Sequence, residues 1–142
     1  MRILLDSNIL ISFLLKPLAD NPIVRVVQAV VAGRCELLLP EDLLEEVRLT
    51  VRSKKHLVKR IAPSDLEDLI DILSIAAVIV PGIPGDVPAL TRDPKDDYLL
   101  ACAVVGLADY IVTGDDDLLV LGELEGVKMV TARQFWEILE EE

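Results

Sequence analysis

The sequence has few residues of the kinds that build disulfide frameworks and soft-metal sites. Cys35 and Cys102 are the only cysteines among 142 residues, and His56 is the only histidine. Two isolated thiols form no disulfide framework, and their spacing is not that of zinc ligands. This usage favours the reducing cytoplasm as the location of the protein.

Long apolar runs are missing too. No stretch reaches the roughly 18 uninterrupted apolar residues of a membrane helix, and the polar residues 6–8 interrupt the apolar N-terminal segment, which argues against a signal peptide. Aromatic residues make up only 4% of the chain, but hydrophobic residues make up 52%. We therefore expect no membrane segment and a single domain over residues 1–142, with a mostly aliphatic core.

Positive charge is scarce in the chain as a whole. The formal net charge of −11 argues against a general binder of polyanions. The cations are nevertheless concentrated in the run from Arg48 to Arg60, which contains no acidic residue. This basic run has two interpretations, a solvated helix end or a local surface that contacts RNA phosphates. The residues predicted to make those contacts are Arg52, Lys54, Lys55 and Lys59.

Short apolar runs alternate along the chain with longer segments of helical period. The predicted strands are Arg2–Leu5, Glu36–Leu39, Ala77–Val80, Tyr110–Val112 and Val127–Val130. The predicted helices are Ser7–Leu15, Pro22–Ala32, Glu41–Ser53, Ser64–Ser74, Pro94–Leu107, Asp115–Leu121 and Ala132–Glu140. Strands that alternate with helices form a parallel sheet covered on both faces. The expected fold class is therefore α/β: a three-layer, Rossmann-like α/β/α sandwich with a central, mainly parallel sheet.

Three of the predicted helices carry sequence signals for their first residues. Ser64–Glu67 and Thr131–Gln134 have the pattern of capping boxes, and Asp93 stands as an N-cap before Pro94. These signals predict where the three helices begin.

Polar side chains follow two of the predicted strands at their carboxyl ends. Asp6, Ser7 and Asn8 come directly after the first strand, and Thr113 and Asp115 follow the strand Tyr110–Val112. Burying an unpaired carboxylate is costly, so a compensating partner is expected. In an open parallel sheet, ligands bind beyond the carboxyl ends of the strands. The sequence therefore predicts that Asp6 and Asp115 reach the same edge.

Two predicted helices can add further acids to this edge. Asp96 borders an apolar face that continues through Leu99 and Leu100, but Asp97 begins a similar series, so spacing does not decide between them. In the helix Glu41–Ser53, Glu46 borders the apolar face and Glu45 lies on the far side. Acids in the first turn of a helix are also favoured by the helix dipole alone.

Carboxylates that converge at one edge repel one another unless a cation neutralises them. Oxygen ligands without histidine or cysteine indicate a hard ion, Mg²⁺ or Mn²⁺. The number of acids does not decide between one ion and two.

The motifs DSN, LLEEV, DPKDDYLLACA and DYIVTGDDDLL occur in this order along the chain. Together they resemble the motifs of PIN domain nucleases, especially the branch described as toxins of toxin–antitoxin pairs. The resemblance covers nearly the whole chain. It implies a PIN-like form of the predicted sandwich and an activity of metal-dependent RNA cleavage.

The resemblance also implies which residues form the site. It assigns catalysis and metal binding to Asp6, Glu46, Asp96 and Asp115, further metal binding to Asp117, and the orientation of these acids to Asn8 and Thr113. The extra acid in TGDDD leaves open whether Asp115, Asp116 or Asp117 is the ligand.

Two other functions remain open at this level. A phosphatase of the haloacid dehalogenase type also has an aspartate after its first strand, but it needs a second one where this chain has Asn8. It also needs a lysine, and none lies between Lys95 and Asp115. A catalytically silent PIN module that binds RNA or protein is the other alternative, although such a module has no need to keep self-repelling acids.

Two protein partners are expected besides the RNA substrate. A small antitoxin protein would accompany a toxin. A homodimer is predicted because five valines almost surround the helix Pro22–Ala32, whereas a surface helix needs only one apolar stripe. These valines are Val24, Val26, Val27, Val30 and Val31.

Overall fold

A six-stranded sheet forms the centre of the structure, a computed structural model that describes all residues from 1 to 142. Its strands are β1 (Arg2–Leu5), β2 (Glu36–Pro40), β3 (Val78–Val80), β4 (Tyr110–Val112), β5 (Glu123–Leu124) and β6 (Val127–Val130). The strand order is β3-β2-β1-β4-β6-β5. All neighbouring strands pair in parallel except β5, which pairs antiparallel with β6.

Eight helices connect the strands or follow them. They are α1 (Ser7–Leu15), α2 (Pro22–Val31), α3 (Glu41–Ser53), α4 (Lys55–Val58), α5 (Pro63–Ala76), α6 (Pro94–Val105), α7 (Asp116–Leu119) and α8 (Ala132–Glu140). None of them is both long and apolar enough to cross a membrane.

The helices cover both faces of the sheet, because successive side chains of a strand point to opposite faces. Ile3 and Leu5 of β1 belong to the larger core, which includes residues of α1, α2, α3, α5 and α8. Leu4 belongs to the smaller core, which includes residues of α6 and α7. This arrangement confirms the predicted three-layer α/β/α sandwich.

All the predicted elements lie within two residues of the observed ones at both ends, but the predicted set is not complete. The short elements α4 and β5 are absent from the predicted set, and α7 is shorter than the predicted helix Asp115–Leu121. Of the two predicted capping boxes, one is confirmed and one is wrong. Thr131 and Gln134 form the predicted box at the start of α8. The box predicted at Ser64 is wrong, because α5 begins one residue earlier at Pro63, whose ring favours the first helical position.

The sheet brings the carboxyl ends of β1 and β4 side by side. The N–H of Asp6 donates to the carbonyl of Val112, and the N–H of Thr113 donates to the carbonyl of Val130. The chain passes from β1 to β2 on one side, and β4 later pairs on the other side of β1. This is the kind of topological switch point where open α/β sheets bind their ligands.

Candidate metal centre

Asp6 lies where β1 ends and α1 begins, and its side chain is buried. The hydroxyl of Thr113 donates to Asp6 Oδ2 over 2.7 Å, and the hydroxyl of Ser7 donates to Asp6 Oδ1 over 3.4 Å. Burial raises the pKa of Asp6 above its ordinary value, although the bond from Thr113 acts in the opposite direction. The carboxylate is therefore held in place without being neutralised by a cation of the chain.

Asp96 reaches the same place from the first turn of α6. The predicted N-cap is confirmed here, since Asp93 accepts a hydrogen bond from the N–H of Lys95 and Pro94 occupies the first turn. Asp96 is buried, and its Oδ2 has no hydrogen-bond partner. Burial first, and then the neighbouring carboxylate of Asp115, raise the pKa of Asp96 to about 8. This side chain thus has an unsatisfied buried oxygen beside a like charge.

Asp115 comes from the loop after β4 and serves as the N-cap of α7. Its N–H donates to the hydroxyl oxygen of Thr113 over 3.0 Å, and its Oδ1 accepts from the N–H of Asp117 over 2.9 Å. Thr113 therefore contacts both Asp6 and Asp115, and it fixes their relative position.

The three aspartates Asp6, Asp96 and Asp115, here called the acidic trio, come from three separate segments. One carboxylate oxygen from each lies within 4.8 Å of the others. Such a group can hold a cation, and the unpartnered Asp96 Oδ2 is the atom that most needs one. Because every ligand atom is a carboxylate oxygen, the trio fits a hard divalent ion such as Mg²⁺ or Mn²⁺.

The neighbouring aspartates, which the sequence left as alternatives, have other contacts. The backbone N–H groups of Leu90 and Thr91 donate to Asp97 Oδ1 over 3.0 and 2.7 Å. Burial raises the pKa of Asp97, but these N–H groups outweigh it and hold the pKa below its ordinary value. Asp97 therefore fastens the preceding loop to α6 and lies outside the acidic trio.

Two further acids follow Asp115 in the chain. Asp116 is exposed, and Asp117, which was predicted as an additional metal ligand, lies outside the acidic trio. Asp117 Oδ1 instead accepts a hydrogen bond over 2.6 Å from the guanidinium of Arg92. Only its backbone N–H contacts the trio directly, through Asp115.

Glu46 lies beside the acidic trio but is not one of its members. The hydroxyl of Ser7 is 3.5 Å from Glu46 Oε1, and Lys95 Nζ is 3.8 Å from the same oxygen. Burial raises the pKa of Glu46, while Lys95 lowers it in part. Glu45, in contrast, is exposed and accepts a bond from Arg48. Of the two glutamates, only Glu46 therefore contacts the residues beside the trio.

Two polar residues next to Asp6 differ from the expectation. Asn8 is exposed and makes no hydrogen bond to the acids, so the structure shows no orienting contact from it. Ser7, which had no assigned role, is buried and contacts both Asp6 and Glu46. The available signal was its position directly after Asp6 at the start of α1.

The basic run is partly neutralised within the chain. Arg48 bonds to Glu45 and to both oxygens of Glu67, and Arg52 also bonds to Glu67. The lysines of the run predicted to contact RNA are exposed and form no ion pair: Lys54, Lys55 and Lys59.

A groove between α3 and α6 opens next to the acidic trio. Its volume is about 380 Å³, and its lining includes Glu46, Lys95 and Asp96 together with Leu49 and Tyr98. The site is thus accessible from the surface along a mixed polar and apolar wall.

Comparison with known proteins identifies one family. A family model described as "PIN domain" matches residues 2–117, which include all the acids discussed above. No curated protein matches the chain.

Proposed function

The chain belongs to the PIN domain family, a family with a nuclease fold, and we propose that it is an endoribonuclease that hydrolyses RNA phosphodiester bonds with Mg²⁺ or Mn²⁺. The observation that carries this proposal is the convergence of Asp6, Asp96 and Asp115 around a buried, unpartnered carboxylate oxygen. Without a cation, carboxylates this close repel one another or hold a proton, and a bound divalent ion would neutralise them in their ionised form.

Asp6, Asp96 and Asp115 are the residues that would hold the ion. When bound, a divalent ion of this kind lowers the pKa of a coordinated water, orients the phosphodiester and neutralises charge on the leaving oxygen. Glu46 and Asp117 complete the proposed ligand set from just outside the trio.

The remaining residues of the site act by orientation. Thr113 holds Asp6 and Asp115 through its hydroxyl, and Ser7 connects Asp6 with Glu46. Neither cysteine provides an accessible nucleophile, since both are buried in the cores, and His56 is exposed in the basic run. In the proposed reaction, water is the nucleophile and the carboxylates hold the ion that activates it.

The proposed biological role follows the family branch that the motifs resemble. The protein would act in the cytoplasm as the toxin of a toxin–antitoxin pair or as an RNA-processing nuclease. A small antitoxin and a second copy of the chain are its proposed protein partners. The exposed lysines of the basic run are proposed to contact the RNA.

The test is cleavage of a panel of defined RNAs by the purified protein. We expect cleavage with Mn²⁺ or Mg²⁺, none with excess EDTA, and none by the folded variant Asp96→Asn. Binding of RNA without any cleavage in Mn²⁺ would replace this proposal with a catalytically silent module. Cleavage that persists in EDTA would contradict the metal site.

The toxin role needs a separate test, because a nuclease need not be a toxin. Expression of the wild type should arrest growth, and expression of Asp96→Asn should not. A small protein encoded next to the chain should relieve the arrest and co-purify with it. Unimpaired growth would favour RNA processing.

A further inference from the structure

The surroundings of the acidic trio pose a problem for an RNA substrate. Four acids line the groove between α3 and α6, namely Asp42, Glu45, Glu46 and Asp96, and they repel phosphates. Lys95 is the only cation in this lining. A phosphate that approaches the trio therefore needs cations close to it.

Arg92 is one such cation, on the side of Asp115. Its guanidinium donates to Asp117 Oδ1, and the side chain is 86% exposed. The backbone around it is fastened, because Asp97 accepts the N–H groups of Leu90 and Thr91. Four of the five N–H donors of an arginine remain available after one bond.

Lys95 is the second cation, on the side of Asp6. Its Nζ is 3.8 Å from Glu46 Oε1, and the side chain is 67% exposed. Ser7 connects Glu46 with Asp6. At 3.8 Å the contact is an ion pair without a short hydrogen bond, so the three donors of the ammonium are largely uncommitted.

Neither cation is explained by a role in holding the fold together. Ion pairs as exposed as these contribute little to stability, because water screens them. Arg48 of the basic run shows the contrast, because its side chain is only 28% exposed and bonds to Glu45 and to both oxygens of Glu67.

We propose that Arg92 and Lys95 form a phosphate clamp, which binds the RNA backbone on the two sides of the bond that is cleaved. Arg92 would take one phosphate by bidentate hydrogen bonds, and Lys95 would take the other as a point charge. Arg92 and Lys95 lie on either side of Asp93, the N-cap of α6, whose first turn carries Asp96. From these positions the two cations would hold the RNA strand over Asp96. This clamp rests on the proposed ribonuclease function and names the residues that position its substrate.

The experiment measures the binding of a fluorescent single-stranded oligouridine in Ca²⁺, with its integrity checked on a gel. Wild type, Arg92→Gln and Lys95→Gln are compared between about 50 and 200 mM salt. The matched control is Lys128→Gln, which removes an exposed lysine at the opposite edge of the sheet, paired with Tyr110 at the beginning of β4.

Each clamp variant should bind RNA roughly three- to tenfold more weakly at low salt, and the slope of log K against log salt should fall by about 0.7. Lys128→Gln should match the wild type. In cleavage assays KM should rise while kcat at saturating RNA changes little, because phosphate contacts bind ground state and transition state alike. Mn²⁺ affinity, measured by calorimetry, should not fall in either variant.

The outcomes separate the clamp from the function on which it rests. A wild type that binds and cleaves RNA, with both variants equal to it in affinity and slope, would overturn the clamp alone. A loss of RNA binding as large in Lys128→Gln would also overturn it, because the effect would then be one of net charge. A wild type that neither binds nor cleaves any RNA would overturn both.

Discussion

At the scale of single residues, Asp96 has the least favourable electrostatic surroundings of the site residues. It is buried, its Oδ2 lacks a partner, and the carboxylates of Asp115 and Asp6 lie close to it. The hydroxyls of Thr113 and Ser7 donate hydrogen bonds to the two carboxylate oxygens of Asp6. No hydroxyl or N–H donates to Asp96 Oδ2. A cation bound among these acids would give Asp96 Oδ2 a partner and would neutralise the repulsion.

The surroundings of Asp96 predict how the stability of the metal-free protein depends on pH. The pKa of Asp96 is raised to about 8 in the folded state by burial and by Asp115, whereas an unfolded aspartate titrates near about 3.9. Between these values the folded state binds more protons, so the free energy of unfolding should fall as pH rises. Urea unfolding in EDTA at about pH 5 and pH 8 measures this fall.

Asp96→Asn should remove most of that pH dependence, because asparagine does not titrate. Asp116→Asn, which changes an exposed acid outside the acidic trio, should keep it. Saturating Mn²⁺ should also reverse the fall in the wild type, since metal binding favours the ionised acids. Equal pH dependence in wild type and Asp96→Asn would contradict the assignment to this carboxyl.

A second prediction at the residue scale concerns Asp6. Asp6→Asn should abolish Mn²⁺- or Mg²⁺-dependent RNA cleavage, while the free energy of unfolding of the metal-free protein stays the same or rises. Asparagine keeps an acceptor for the hydroxyl of Thr113 but removes one charge from a self-repelling group. Cleavage assays and urea unfolding in EDTA check both halves. Full activity in a folded Asp6→Asn would remove Asp6 from the site.

At the scale of elements, the rotation of α3 decides which of its two adjacent glutamates contacts the residues beside the acidic trio. Glu46 contacts Ser7 and Lys95, and Glu45 contacts Arg48 on the solvent side. Glu46→Gln should lower the cleavage rate by roughly 10- to 100-fold, the range for groups that support a metal site from nearby. Glu45→Gln is the matched control and should leave the rate nearly unchanged. The opposite ranking in steady-state kinetics would show that the site is not built around this face of α3.

The segment from the end of α3 through α4 carries the proposed RNA-binding lysines. Changing Arg52, Lys54, Lys55 and Lys59 together to Gln should weaken RNA binding and flatten its dependence on salt. Each lost contact should reduce the slope of log K against log salt by about 0.7. Metal affinity should not change.

RNA affinity at several salt concentrations, with Ca²⁺ in place of Mg²⁺, measures this effect. Parallel salt lines of equal height for wild type and the quadruple variant would mean that the basic run is only a solvated surface. The binding of RNA would then depend on other cations of the chain.

At the scale of the whole molecule, the structure changes the reason for expecting a dimer. Four of the five valines of α2 are buried within the chain, where α2 packs against α1, α5 and α8, and only Val31 is exposed. The apolar surface of α2 that remains lies along a groove of about 470 Å³ between α1, α2 and α5, where Val31 and Ile72 are both exposed.

If the chain dimerises through that groove, light scattering at micromolar concentration should return twice the mass of the chain. Val31→Glu should lower this mass, because a charge would be buried in an apolar contact. Val120→Glu is the matched control, since Val120 is exposed at the end of α7, away from the groove. A wild type with the mass of one chain would contradict the dimer.

Much of the fold was predictable from the sequence because its signals are local. Apolar runs and helical periods predicted β1, β4 and β6 and the helices α1, α3 and α8 to the residue. Thr131 and Gln134 marked the start of α8 through bonds that span three residues. The two-residue strand β5 was missed, because it exists only through its pairing with β6.

The site was predictable only in outline. The sequence placed Asp6 and Asp115 after strands and therefore at one edge of a sheet, and it limited the other acids to two adjacent pairs. Spacing left Asp96 and Asp97 as alternatives, and only the resemblance to PIN motifs favoured Asp96. The tertiary structure brings Asp96 to the other two acids, whereas the N–H groups of Leu90 and Thr91 engage Asp97. Arg92 likewise engages Asp117. Whether a carboxylate joins the acidic trio or bonds elsewhere depends on hydrogen-bonding groups from other segments of the chain. The positions of those groups depend on the order of the strands in the sheet.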